Sequence, residues 1–115
     1  MGACRVRRVY EQSPPGTFRI LVDRLWPRGL SKEDAGVDLW LKEAAPSAAL
    51  RTWFAHDPAR FEEFARRYRG ELEGSEAFAV LVRAVRDHDA VDLVYSARDS
   101  QHNQAVVLLG LLDGR

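Results

Sequence analysis

The sequence predicts a layered α/β domain with a mainly parallel sheet of about four strands and helices packed on its faces. Short runs rich in β-branched and aromatic residues alternate along the chain with segments of helical periodicity. The last of these runs, 91–95, is apolar almost throughout, which is typical of a central strand in a parallel sheet. A length of 115 residues fits one domain, predicted over 1–115.

Four strands are predicted, at 4–10, 18–22, 37–41 and 91–95. The first is rich in arginine and is expected near a sheet edge, and the breaker cluster at 12–16 separates it from the second. The third depends on Val37, Leu39 and Leu41 alternating with polar or large residues, with a helix as the competing interpretation. Right-handed crossovers would bring all the strand ends to one edge.

Each predicted helix has a capping residue at its start. These caps are Ser31, Ser47, Asp57, Ser75 and, for the last helix, Asp99 or Ser100. The helix after Asp57 is the best defined, because Pro58 suits its first position and an apolar face runs from Phe61 to Leu72 at helical spacing.

Charge and composition disfavour several classes of partner. The formal net charge is zero, from 17 basic and 17 acidic residues, so nothing global attracts nucleic acid or a membrane surface. The single cysteine, Cys4, excludes an intramolecular disulfide and agrees with a reducing cytosol. No apolar run is long enough to span a bilayer, and no apolar region follows Met1 as a secretory leader would require. We therefore expect a cytoplasmic protein.

Polar residues follow three of the predicted strands where those strands end. Asp23, Arg24 and Arg28 follow the second strand, and Lys42 and Ser47 follow the third. The segment after the last strand contributes Ser96, Arg98, Asp99, His102 and Asn103. Ligands of open parallel sheets bind at this edge, and guanidinium groups suit carboxylate or phosphate. Backbone N–H groups at 101–103 are expected to add an anion-binding helix end.

The residue types suggest roles for these positions. Asp23, Asp99 and His102 are the catalytic candidates, because a carboxylate can orient a histidine that titrates near neutral pH. The candidates for ligand binding are Arg24, Arg28, Lys42, Ser47, Ser96, Arg98 and Asn103. A nucleophilic Ser96 is disfavoured, since Tyr95-Ser96-Ala97 lacks the flanking glycines of hydrolases.

Structural interpretations compete with these roles. Asp23 and Arg24 can form an ion pair at a strand end, and Asp99 can serve only as a helix cap. His56 is assigned to a turn between helices, with a catalytic His56 as the less favoured interpretation. The spacing of histidines and the lone cysteine predict no metal site, and no glycine-rich phosphate or dinucleotide fingerprint predicts a cofactor.

The longest polar and aromatic motifs resemble a known bacterial family. These motifs are 21–29 (LVDRLWPRG), 40–42 with 45–47, 53–54 with 56–57, and 95–99 with 102–103. Together they resemble the YeaO-like branch of the family called domain of unknown function 488, over nearly the whole chain. The resemblance implies a small α/β protein of the bacterial cytosol. It implies no activity and transfers no catalytic residues.

Three functional hypotheses remain open at this point. The first is a small enzyme acting on an anionic, phosphate- or carboxylate-bearing molecule. The second is a non-catalytic module that binds a ligand, a protein or, through Arg5, Arg7 and Arg8, a nucleic acid, although acidic helices disfavour the last partner. The third is a buried polar network that only holds loops together. The sequence does not predict the oligomeric state.

Overall fold

A parallel sheet of four strands lies at the centre of the computed structural model, which describes residues 3–113. The strands are β1 (Ala3–Arg8), β2 (Phe18–Leu21), β3 (Leu39–Trp40) and β4 (Ala90–Tyr95). Their order is β1-β4-β2-β3, and every neighbouring pair is parallel. The predicted α/β class is thus confirmed. The ends of the predicted domain, at 1–2 and 114–115, lie outside the described residues.

Five helices connect and cover these strands. They are α1 (Lys32–Ala35), α2 (Ala48–Phe54), α3 (Phe61–Leu72), α4 (Glu76–Asp87) and α5 (Gln104–Asp113), with 3-10 turns at Lys42–Ala44 and Pro58–Arg60. Ser31, Ser47 and Ser75 cap α1, α2 and α4 as predicted, each side chain accepting a hydrogen bond from the third residue after it. No helix within 3–113 is long and apolar enough to cross a membrane.

Several predicted boundaries differ from the structure. β1 ends at Arg8 and β2 at Leu21, earlier than predicted. Asp57 caps the 3-10 turn Pro58–Arg60, and α3 begins only at Phe61 without a side-chain cap, so the prediction that Asp57 caps this helix is wrong.

The third strand is confirmed as a strand, but only Leu39–Trp40 pair with β2 at the sheet edge. The last helix begins at Gln104, so the prediction that Asp99 or Ser100 caps it is wrong. Asn103 precedes this helix, and its Oδ1 accepts the N–H of Val106 at 3.1 Å. Asp99 instead caps the turn before the helix, which sequence alone does not distinguish from a helix start.

The main core lies on one face of the sheet. Alternate residues of β2 and β4, among them Ile20 and Leu93, pack there against the apolar faces of α2, α3, α4 and α5. In α3 the predicted face is confirmed, with Phe64 and Tyr68 almost completely buried. Four of the five helices described in 3–113 therefore cover the same face.

The opposite face of the sheet is covered by α1 and by loops. Leu21 and Val94 form a small apolar cluster there with Val9 and Ala35. The polar part of this face is centred on Arg19, which is only 7% exposed. The loop-rich covering explains why a charged side chain is needed on this face. Main-chain carbonyls of the loops require donors when they are buried.

The Arg19 guanidinium donates to main-chain oxygens of three residues and to one hydroxyl. The acceptors are the carbonyls of Val9 (2.9 Å), Glu11 (2.9 Å) and Ala35 (2.9 and 3.2 Å) and the Oγ of Ser13 (2.7 Å). Buried Asp92 completes the arrangement by accepting from Arg7 Nε at 2.7 Å and from Ser13 Oγ at 2.5 Å. We call Arg7, Ser13, Arg19 and Asp92 the Arg19 network. No local sequence pattern predicts this network.

Candidate functional site

Asp23 joins the ends of the two central strands. The β2–β4 pairing continues to Val22, whose N–H donates to the carbonyl of Val94 at 3.1 Å, so the next residues of both strands are neighbours. Asp23 Oδ2 accepts from the N–H and the Oγ of Ser96, at 2.9 and 2.6 Å. Asp23 Oδ1 accepts from the Nε2 of Gln104, the first residue of α5. The carboxylate therefore fixes the strand ends and the start of α5 together.

The pKa of Asp23 is raised by burial, since only 9% of the residue is exposed. Hydrogen bonds from Ser96 and Gln104, and the charge of nearby His56, oppose this rise without cancelling it. All three hydrogen bonds place a donor against the carboxyl oxygens, which is the arrangement that an ionised carboxylate requires. Asp23 is thus a partly desolvated anion with few remaining acceptor positions.

A cavity of about 590 Å³ opens beside Asp23. Its walls are formed mainly by the loop after β2, by α2 with the residues just before and after it, and by the β4–α5 connection. Five of the sequence-predicted site residues line it: Asp23, Arg24, Arg28, Ser96 and Asn103. The expectation that polar strand ends meet at one edge is therefore met by β2 and β4, the two central strands.

Arg24 is the half-buried cation of this cavity. Its Nε is buried and has no hydrogen-bond partner among residues 3–113. Its Nη2 reaches the carbonyl of Ala45 only at 3.5 Å, the limit of a hydrogen bond. Buried donors are almost always paired in folded proteins. The acceptor that Arg24 Nε needs is not supplied by residues 3–113.

Two more arginines, Arg28 and Arg51, line the cavity and come from different elements. Arg28 belongs to the loop after β2, and the hydroxyl of Tyr10 holds this loop by donating to the Arg28 carbonyl at 3.1 Å. Arg51 lies in the last turn of α2. Both side chains belong to exposed residues, so they can move toward a bound molecule.

His56 reaches the cavity from a strained turn. Ala55 and His56 have φ angles of 48° and 56°, the left-handed region that glycine tolerates best, and they end α2. His56 lines the cavity, whereas the sequence analysis favoured a purely structural turn at this position. The His56-Asp57 pair was visible in the sequence, but the left-handed backbone conformation of His56 was not.

Asp99 and His102 lie together, but they do not line this cavity. His102 Nδ1 is 2.9 Å from Asp99 Oδ2, and the imidazole ring packs edge-on against Phe61 at 5.2 Å between centroids. Asp99 Oδ1 accepts hydrogen bonds from the backbone N–H groups of Gln101 and His102. These two bonds, together with the contact between Asp99 Oδ2 and the His102 imidazole, lower the pKa of Asp99. The expectation that free N–H groups at 101–103 form an anion site is wrong, because Asp99 occupies two of them.

Three predicted ligand-binding residues also lie outside the cavity lining. Lys42 Nζ lies 5.3 Å from the centroid of the Trp40 ring, and Arg98 is exposed. Ser47 caps α2 and donates to Glu71 Oε2 at 2.6 Å. Asn103 does line the cavity, but its side chain also bridges the carbonyl of Asp99 and the N–H of Val106. The binding roles of these four residues stay predictions.

The cavity also includes residues that the sequence analysis did not select: Tyr10, Arg51, Thr52 and Gln104. Tyr10 was predicted to lie inside the first strand, which ends at Arg8, and the other three residues do not follow a strand end. Arg51 and Thr52 enter through the packing of α2 against the sheet, which no local pattern predicts. Among residues 3–113, no cluster of three or more histidine, cysteine or acidic side chains is arranged to hold a metal ion.

Comparison with known proteins agrees with the resemblance found in the motifs. An uncharacterized protein of Mycobacterium tuberculosis strain H37Rv is 46% identical over 112 residues, which cover 96% of this chain and 94% of the relative. The uncharacterized protein YeaO of Escherichia coli K12 is 37% identical over 103 residues, covering 89% and 90% of the two chains. No solved structure matches at a comparable level.

The family model that matches residues 3–115 is described as "Inactive DUF488-N3 subclade". The match covers nearly the whole chain, including every strand and helix named above. The predicted resemblance is confirmed, and both relatives named above are described only as uncharacterized. The chain belongs to the DUF488 family.

Proposed function

We propose that this protein binds a small anionic molecule in the cavity beside Asp23 and does not transform it chemically. One observation carries the proposal: the Nε of Arg24 is buried and has no hydrogen-bond partner within residues 3–113. A buried donor without an acceptor costs free energy, and an anion in the cavity would supply that acceptor. Arg28 and Arg51 line the same space and can complete the coordination with further charge-assisted hydrogen bonds.

Two observations support binding without turnover. The family description contains the word "inactive". In the cavity, Asp23 accepts three hydrogen bonds from Ser96 and Gln104, so few acceptor positions remain on its carboxylate to take a proton from a bound molecule. We therefore assign Asp23 a positioning role: it holds the loop that carries Arg24.

Thermal unfolding in a buffer free of strongly binding anions tests the proposal. Inorganic phosphate and sulfate should raise the midpoint progressively, because a ligand that binds only the folded state stabilises it by mass action. Arg24→Gln should weaken binding by about tenfold, the effect of one charge-assisted contact. Arg83→Gln, an exposed arginine of α4, is the matched control and should bind like the wild type.

Arg98→Gln separates this proposal from the sequence-based assignment of Arg98. Arg98 is exposed and outside the cavity lining, so its loss should leave binding unchanged. Weaker binding in Arg98→Gln would restore its predicted role. The proposal fails if phosphate, sulfate, acetate and citrate all leave the midpoint unchanged, or if Arg24→Gln binds as well as the wild type.

Catalysis in the same cavity is the second candidate, and one contact favours it. Ser96 Oγ lies 2.6 Å from Asp23 Oδ2, and the pKa of Asp23 is raised by burial, so proton transfer between the two groups is geometrically feasible. Incubation with p-nitrophenyl phosphate and p-nitrophenyl acetate would detect such activity. Release of nitrophenol that is lost in Ser96→Ala would replace the binding proposal with this one.

A further inference from the structure

We infer that the ligand of this cavity carries a doubly charged phosphoryl group attached to an apolar body. The inference rests on the anion-binding function proposed above and names its ligand class. Arg24, Arg28 and Arg51 contribute three positive charges, and Asp23 is the single acidic side chain among the described residues that line the space. Three guanidinium groups against one carboxylate leave a net charge of plus two. A dianion neutralises this charge, whereas a monoanion leaves one cation without a counterion.

The placement of the arginines also favours a phosphoryl group over a carboxylate. Arg24 and Arg28 come from the loop after β2, and Arg51 comes from α2, so the donors approach from different walls. A phosphate monoester has three terminal oxygens in a tetrahedral arrangement and can accept from several guanidinium groups at once. A carboxylate has two oxygens in one plane, which match a single guanidinium fork.

His56 adds a further donor on the α2 side. Two consecutive non-glycine residues in the left-handed region are unfavourable, and such conformations concentrate at sites where the surrounding structure uses them. Here the strained turn brings the imidazole to the cavity lining, near enough to Asp23 for its charge to act on that carboxylate. An imidazole N–H facing the cavity can donate to a phosphoryl oxygen that the arginines hold.

The apolar body is inferred from the cavity mouth. Tyr10 and Leu25 are 43% and 70% exposed, and they are two of the three large hydrophobic residues that remain exposed in the described part of the chain. Both line the cavity, together with Trp26 and Phe54. Ligand sites typically combine an apolar wall with a few converging polar groups. The basic end and the apolar mouth together suit an amphipathic phosphoryl compound better than a free inorganic ion.

Three small probes separate charge from apolar contact in the intact protein. Phenylphosphonate is a dianion with a ring in mildly alkaline buffer, benzenesulfonate has the same shape with one charge, and methylphosphonate has two charges without the ring. Titration calorimetry should give the highest affinity for phenylphosphonate. We expect benzenesulfonate to bind about tenfold more weakly, and methylphosphonate several-fold more weakly.

A variant of the mouth sharpens the test. Leu25→Ser changes a residue that is 70% exposed, so the fold should tolerate it. It should weaken phenylphosphonate binding several-fold and leave methylphosphonate binding unchanged. Equal affinities for phenylphosphonate and benzenesulfonate, or for phenylphosphonate and methylphosphonate, would overturn the ligand class while keeping the anion-binding function. Absence of binding by all three probes, and by phosphate and sulfate, would overturn both.

Discussion

Arg19 and Arg24 are five residues apart, yet the chain treats their guanidinium groups in opposite ways. Every guanidinium nitrogen of Arg19, on the loop-covered face of the sheet, donates to an acceptor within the chain. At the strand ends, Arg24 keeps a buried Nε without a partner among the described residues and one hydrogen bond at the distance limit. The chain itself supplies every hydrogen-bond acceptor that Arg19 needs. Arg24 Nε would gain an acceptor only from a bound molecule or another group outside the described residues.

This difference, rather than burial, distinguishes the structural charge of Arg19 from the charge to which we propose to assign a ligand. Arg19 is the more buried of the two, and burial lowers the pKa of its guanidinium, while the nearby carboxylate of Asp92 acts in the opposite direction. Its hydrogen bonds nevertheless identify a structural role, because they satisfy loop carbonyls that would otherwise be buried without donors. The same criterion assigns Asp23 to positioning, since all its contacts lie within the chain.

Replacing Arg19 or Arg24 by methionine should give the largest difference in the free energy of unfolding. Arg19→Met removes the donors of three main-chain carbonyls and a cation near buried Asp92, so we expect it to lower the free energy of unfolding by about 3 to 5 kcal/mol. Arg24→Met removes an unsatisfied donor, and without ligand it should change that free energy by less than about 1 kcal/mol. Urea denaturation measures both.

The contrast is also expected to depend on ligand. In buffer with phosphate, the wild type should gain stability and Arg24→Met should not, whereas any residual folded Arg19→Met should gain as much as the wild type. Comparable destabilisation by the two substitutions in the absence of anions would mean that Arg24 is a structural charge, and the comparison would no longer hold.

Much of the fold was predictable from the sequence because its signals are local. The caps Ser31, Ser47 and Ser75 and the apolar run of β4 each depend on residues that are adjacent in the chain. The start of α5 was not predictable in this way. Asp99 and Asn103 are both good capping residues, and the turn that Asp99 caps has the same local chemistry as a helix start.

The site was predictable only where strand ends determine it. Asp23, Arg24 and Ser96 meet because β2 and β4 are parallel neighbours, so their C-terminal ends lie at the same edge of the sheet. Arg51 and His56 come from a helix and the turn after it, and their approach depends on how α2 packs. The Arg19 network was invisible for a related reason, because most acceptors of Arg19 are main-chain carbonyls, which carry no sequence signal, and Asp92 is distant in the chain.

Substitution of Asp23 should change the free energy of unfolding by an intermediate amount that depends on pH. Asp23→Asn should cost about 1 to 2 kcal/mol, because the amide cannot accept from both Ser96 and Gln104 as the carboxylate does. The pKa of Asp23 is raised in the folded state, so its contribution to stability falls as pH rises from the unfolded value of 3.8 through the folded one. The difference between wild type and variant should therefore shrink with rising pH over that window.

Urea denaturation at a series of pH values measures this difference, and Asp87→Asn, which removes an exposed carboxylate of α4, is the control for the loss of one charge. A difference that grows with pH would mean that hydrogen bonding outweighs burial at Asp23. In that case the folded pKa of Asp23 lies below 3.8, and its carboxylate belongs with the fully satisfied charges of the Arg19 network.

The smallest effect is expected at the strained turn, where two adjacent substitutions separate strain from ligand contact. Ala55→Gly and His56→Gly each relieve a left-handed non-glycine residue and should raise the free energy of unfolding by about 0.5 to 1 kcal/mol. Only His56 lines the cavity, so only His56→Gly should weaken phenylphosphonate binding. Urea denaturation and calorimetry on the two variants give both quantities. If both variants bind like the wild type, the strain at 55–56 serves the end of α2, and the basic cavity depends on its arginines alone.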